Sequence, residues 1–156
     1  MHGATWGEID PDNALWKFPD ARTKSGRPHR VPLAPRALHI LKGLRLAECE
    51  HLFPGAKGAL GKDALHRLLK ALGHNDITVH GFRSSFRDWA GESTNFPREV
   101  CEAALAHATG DRVEQAYRRG DALEKRRRLM EAWSDYCGRP APAGATVTPL
   151  RAPASA

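Results

Sequence analysis

The 156-residue chain is poor in cysteine. Cys49, Cys101 and Cys137 are scattered and odd in number, and no C-x-x-C pair is present. That spacing argues against a zinc knuckle and against a disulfide framework, and a reducing cytoplasm is the expected compartment. Long apolar runs are also missing. None approaches the ~20 residues that cross a bilayer, so no membrane partner is expected. Met1 runs straight into Gly, Trp and acidic residues, so no signal peptide is expected either. The Gly-rich stretch 57–62 lacks the G-x-x-x-x-G-K-S/T pattern, which excludes a nucleotide P-loop. His2, His29, His39, His51, His66 and His74 have no metal-ligand spacing. Asp88, Glu92 and Glu102 form no ligand pattern, which weighs against a metal-dependent nuclease. Neither a metal nor a cofactor is expected. Tyrosine is scarce: Tyr117 and Tyr136 are the only two.

What the chain does have is positive charge. Lys and Arg number 24 against 18 Asp and Glu, a net charge of +6 that favours a polyanionic partner, most simply nucleic acid. The length and a hydrophobic content of 41% suit one domain with a core of its own.

In chain order, Thr5 to Ile9 and Leu15 to Phe18 read as a β-hairpin around the turn cluster Asp10-Pro11-Asp12-Asn13. A second turn, Lys24-Ser25-Gly26-Arg27-Pro28, leads to a third strand ending at Leu33. Lys24 stands near its tip, where an exposed turn lysine is the simplest reading. Residues 35–47 read as a helix, with Ala37, Leu38, Leu41 and Leu44 close to helical spacing. A second helix, 63–72, carries Leu65, Leu68, Leu69 and Leu72 on one face and stops at Gly73. A third follows His80 with Phe82, Phe86, Trp89 and Ala90 as its buried stripe. A fourth covers 97–105, and one or two helical turns are expected at 113–117. Asp121 is expected to cap a last helix to about Tyr136. Leu123, Met130, Trp133 and Cys137 would then face in, and Lys125-Arg126-Arg127-Arg128 mostly out. Tyr136 is expected to pack in the core. Residues 138–156 are Ala/Pro-rich and are expected to be disordered.

The stretch Val79 to Ala90 organises the chain chemically. His80 and Arg83 are three residues apart at a helix start, so both can reach one target, and the helix N-terminus adds unpaired N–H groups. Together they make a plausible phosphate site. The plainer reading is that His80 caps the helix and Arg83 is a solvated charge.

These residues carry a resemblance. Thr23-Lys24-Ser25-Gly26-Arg27-Pro28-His29-Arg30-Val31-Pro32-Leu33 resembles the β-hairpin of tyrosine recombinases, specifically prophage-type integrases. His80-Gly81-Phe82-Arg83 resembles their H-x-x-R box, Ala104-Leu105-Ala106-His107 their L-x-H box, and Ala116-Tyr117-Arg118-Arg119-Gly120-Asp121 the segment that carries the nucleophile. The boxes stand in the family's order, over about residues 3 to 136. The resemblance implies a mainly α (α+β) fold: a helical catalytic domain over 1–137 with a small three-stranded antiparallel sheet at its N-terminal edge, and the tail 138–156. It implies DNA integration by a mobile element, through a 3′-phosphotyrosine and without metal or ATP. Tyr117 would be the nucleophile, although a packed aromatic is its plainer role. Arg83 and His107 would contact the phosphate, His80 would orient the phenol or take its proton, and Lys24 would protonate the leaving 5′-oxygen. Arg27, Arg30, Arg87, Arg118 and Arg119 are expected to contact double-stranded DNA, and family members act as tetramers on paired sites.

One departure stands out. The family's other essential arginine, in an R-x-x-E-like box before the first strand, has no counterpart, because Gly3-Ala4-Thr5-Trp6 resembles the start of that strand and Arg22 does not match. The expectation is a catalytic domain truncated at its front, without the N-terminal DNA-clamping domain and impaired in recombination. The alternative is a catalytically inactive DNA-binding remnant.

Overall fold

The structure, a computed structural model, describes residues 3–23, 26–44, 49–55, 58–107 and 121–140. Turn chemistry starts the fold. The Asp10 carboxylate accepts from the Asn13 backbone N–H at 3.0 Å and from its side-chain amide at 2.9 Å, closing the Asp10–Asn13 cluster on itself. On either side β1 (Ile9–Asp10) and β2 (Leu15–Phe18) pair antiparallel, with Ile9 opposite Trp16. The other edge of β2 pairs with β3 (His29–Pro32), where Val31 lies opposite Trp16. This is the expected three-stranded sheet, in the order β1-β2-β3.

Its first strand is shorter than the sequence reading. Trp6–Glu8 forms a 3-10 turn instead. The Glu8 N–H bonds to the Thr5 carbonyl, and the Glu8 carboxylate is drawn to the Trp16 indole N–H at 2.9 Å and to Arg22. The backbone on either side of Thr5 pairs elsewhere: Leu52 N–H donates to Ala4 and Trp6 N–H to Glu50.

Helix α1 (Pro35–Leu44) opens on a proline, which suits a first turn. It buries Leu41 against Ala4, Leu33 and Leu52, the first of two apolar clusters. A small hairpin follows, β4 (Pro54–Gly55) with β5 (Gly58–Ala59), where the sequence reading has only a Gly-rich loop. A Cβ on Gly55 would lie 2.8 Å from the Ala59 carbonyl oxygen, so this pairing needs a glycine there.

Helix α2 (Ala64–Ala71) ends as predicted. Gly73 takes a left-handed φ of +85°, its N–H bonds to the Lys70 carbonyl, and the His74 N–H bonds to Leu69. That pattern is a Schellman motif. The leucine stripe is less covered than its periodicity suggests. Leu68 is 53% exposed and Leu72 63%.

The second cluster is helical. It joins α3 (Gly81–Glu92), α4 (Arg98–Ala104) and α5 (Leu123–Gly138) around Phe86, Trp89, Val100, Cys101 and Leu129. Trp133 meets the Phe86 ring edge-on at 5.4 Å, and Tyr136 lies 5.6 Å from Trp89. Phe82, expected in this stripe, is exposed, because the α5 aromatics engage Phe86 and Trp89, one and two turns further on. Tyr136 packs on the cluster yet keeps 47% of its surface in solvent. Cys137 is exposed.

Two expectations about α5 are corrected. Arg126, placed outward by the sequence reading, is fully buried. Asp121 does not cap the helix. Ala122 occupies the cap position with φ +51°, and the Asp121 carboxylate is held by Arg126 and Arg30. The helix runs through Gly138; the expected disorder of the tail falls, from residue 141 on, outside the described residues, as do the turns expected at 113–117.

Candidate functional site

The start of α3 is shaped by Thr78. Its hydroxyl and its carbonyl both accept from the Gly81 N–H at 3.0 Å. His80 is already helical, with φ −70° and ψ −32°, and makes no side-chain cap bond, so the capping role considered for it is taken by Thr78. His80 is exposed. Arg83, three residues on, is half-buried rather than solvated, and its Nη2 donates to the Leu105 carbonyl at 2.5 Å. The H-x-x-R turn is thereby joined to the segment that carries His107.

That segment owes its shape to a second Schellman motif. Ala106 takes φ +54°, its N–H bonds to Ala103, and the His107 N–H returns to the Glu102 carbonyl at 3.0 Å. The turn brings the His107 ring back over the same residue, with Nδ1 2.6 Å from Glu102 Oε2. The other carboxylate oxygen accepts from Arg87 Nε at 2.7 Å, with Arg98 Nε further off at 3.9 Å. The His107 hydrogen bond, and then Arg87, hold the Glu102 carboxyl below the usual carboxylate range despite its burial. Half of His107 and a third of Arg87 remain in solvent, whereas the Glu102 side chain is 11% exposed. The result is a buried anion with cationic or donor groups around it and an exposed imidazole above.

Sequence comparison gives this geometry a context. No family model matches the chain, and no solved structure matches it. Curated proteins do. Prophage integrase IntA of Escherichia coli K12 is 38% identical over 138 residues, covering 85% of this chain and 33% of IntA. The integrase of Enterobacteria phage P4 is 30% identical over 154 residues, covering 85% of this chain and 35% of its own length. The integrase of Shigella phage Sf6 is 28% identical over 143 residues. The chain is a homologue of prophage integrases. It spans about a third of the length of these relatives.

The remaining residues singled out in this integrase homologue fall into three groups. Lys24, Tyr117, Arg118 and Arg119 lie outside the described residues. Arg27 is exposed, with its backbone N–H bonded to Thr23 Oγ1. Arg30 and Arg87, expected on DNA, are placed on carboxylates: Arg30 forks onto Asp121 at 2.9 and 3.0 Å, and Arg87 holds Glu102.

Three more residues matter, and the sequence reading gave them no such part. Arg126 donates to the Arg30 carbonyl at 2.6 Å, the Asp121 carbonyl at 2.7 Å and the Asp121 carboxylate at 2.8 Å. This clamps β3 to the entry of α5. His29 lies against it, with Nε2 buried and unbonded among the described residues. Burial, and then Arg126, depress the basicity of His29. Glu102 is the third. A left-handed glycine before His107 would have announced the turn that pairs them, but the position holds Ala106. Among the described residues no cluster of His, Cys, Asp or Glu could hold a metal ion, and no helix is long and apolar enough to cross a membrane.

Proposed function

We propose that the chain cleaves and rejoins DNA as a tyrosine recombinase, in the integration or excision of a mobile element. The observation that carries this is the Arg83–Leu105 bond, which joins the H-x-x-R turn to the His107 turn in a homologue of prophage integrases. A phosphodiester is anionic, so in-line attack needs its non-bridging oxygens neutralised. Arg83 supplies a guanidinium fork and His107 a ring N–H. Tyr117 attacks phosphorus, and His80 takes its phenolic proton. The P–O5′ bond breaks, and the leaving 5′-oxygen takes a proton from Lys24. The 3′-phosphotyrosine conserves the ester bond, so attack by a 5′-hydroxyl reverses the step without ATP. Arg27, Arg118 and Arg119 would add sequence-independent phosphate contacts. Several copies would act together on paired sites, in the cytoplasm where the DNA lies.

The test is covalent capture. The protein meets nicked suicide duplexes built from the DNA flanking its gene, in EDTA, and a denaturing gel reports any adduct. An adduct that Tyr117→Phe abolishes supports the reading. No adduct, alongside duplex binding that weakens steeply with salt, refutes the cleavage step and leaves a DNA-binding role alone.

A further inference from the structure

We propose that Glu102 is the positioning residue of the phosphate site, setting which nitrogen of His107 faces the substrate. The assignment rests on the reading that His107 contacts the scissile phosphate. A carboxylate close to an anionic substrate costs binding, so its presence here calls for a role. Glu102 is buried, and its two oxygens are divided: Oε1 to Arg87 on α3, Oε2 to His107 Nδ1. An ionised carboxylate can only accept. The proton in the 2.6 Å contact therefore belongs to Nδ1. In a neutral imidazole that leaves Nε2 facing outward as an acceptor alone, and in an imidazolium, the form that can donate to a phosphate oxygen, it makes Nε2 the outward donor.

The same residue also fixes the His107 main chain, since its carbonyl accepts the His107 N–H. Ring and backbone are thus anchored at one point. Arg87 ties that point to α3, one turn from Arg83, which itself holds Leu105. The brace keeps the two phosphate-directed groups in one frame and takes no part in bond making.

The test uses the full chain. Ring nitrogens of His107 are read by long-range proton–nitrogen correlation on nitrogen-15-labelled protein at alkaline pH, where imidazoles are neutral. Wild type is expected to carry its proton on Nδ1. Glu102→Met, which removes the acceptor, is expected to return the ring to a mixed tautomer population. Glu102→Gln, whose amide oxygen can still accept, is expected to keep the Nδ1–H form. In the suicide-substrate assay Glu102→Met should slow adduct formation on the order of 10²-fold, as for a misplaced phosphate donor, with duplex affinity within about twofold of wild type. Glu102→Gln should recover most of the rate. A wild-type proton on Nε2 overturns the assignment whether or not the variant folds. A Met variant that keeps the Nδ1–H form, or cleaves at the wild-type rate, overturns it as well. If wild type forms no adduct, the cleavage reading falls, and the tautomer measurement still decides what Glu102 does to His107.

Discussion

Replacing Arg126 by methionine should cost far more than replacing Arg30, although both hold Asp121. Arg126 is fully buried and donates three hydrogen bonds, two of them to main-chain carbonyls, those of Arg30 and Asp121. Methionine fills much of the same volume without straining the helix, so the loss is chiefly of donors. Each stripped carbonyl costs about 1–2 kcal/mol. The carboxylate partner adds less than a buried pair would, because the Asp121 side chain is 39% exposed and keeps Arg30. Relief of guanidinium desolvation offsets part of the loss. The net expectation for Arg126→Met is a destabilisation of about 3 kcal/mol.

Arg30→Met removes only an exposed fork, worth less than about 1 kcal/mol. Urea unfolding followed by helical circular dichroism measures both. With a slope of roughly 2 kcal/mol per molar urea, Arg126→Met should lower the midpoint by about 1.5 M. An Arg126→Met midpoint within about 0.3 M of wild type would refute the reasoning. So would an Arg30→Met loss of equal size, because the energy would then lie in the surface ion pair and not in the bonds from the buried guanidinium to main-chain carbonyls.

Two further outcomes follow from backbone and burial. Ala106 holds a left-handed φ of +54° that suits glycine, so Ala106→Gly should raise stability by about 0.5–1 kcal/mol, read as a higher melting temperature. His29 is less basic when folded than when unfolded, so the unfolded chain takes up its proton first as pH falls. Stability should therefore be full above the ordinary histidine range, near 6.5, and decline as pH drops from there toward the lower folded value. His29→Gln should flatten that decline in urea midpoints taken across the range; an unchanged slope would assign it to other groups.

Local patterns in the sequence carried much of the fold. The Asp10–Asn13 turn, the three strands, the proline that opens α1 and the glycine that closes α2 each act within a few residues, and each was legible. Legibility failed where a side chain answers to something distant. Arg126 lies in a run of four basic residues that reads as a solvated face. Its burial follows from the Arg30 carbonyl, 96 residues earlier in the chain, which no local period reveals. Asp121 reads as a cap for the same reason, since its real partners are Arg30 and Arg126. Helical spacing found the leucine stripe of α2 but said nothing of how fully Leu68 and Leu72 would be covered. In the site, His80, Arg83 and His107 were marked by their boxes, whereas Thr78 and Glu102 act only through the geometry of a helix start and a helix end.

Arg83 and Arg87 show why residue type alone could not divide the labour. They stand one turn apart on α3, and both were candidates for phosphate. A guanidinium has five N–H donors. Arg83 spends Nη2 on the Leu105 carbonyl, a neutral acceptor, so its positive charge stays uncompensated by that bond and its other donors stay available to a phosphate. Arg87 turns Nε to the Glu102 carboxylate, which neutralises it before any substrate arrives. A phosphate that recruited Arg87 would have to leave Glu102 buried with weaker compensation, a cost of several kcal/mol for an unpaired ion. On the proposed reading, Arg83 is therefore the arginine that meets DNA at the reacting centre. Arg87 serves by keeping Glu102, and through it His107, in place.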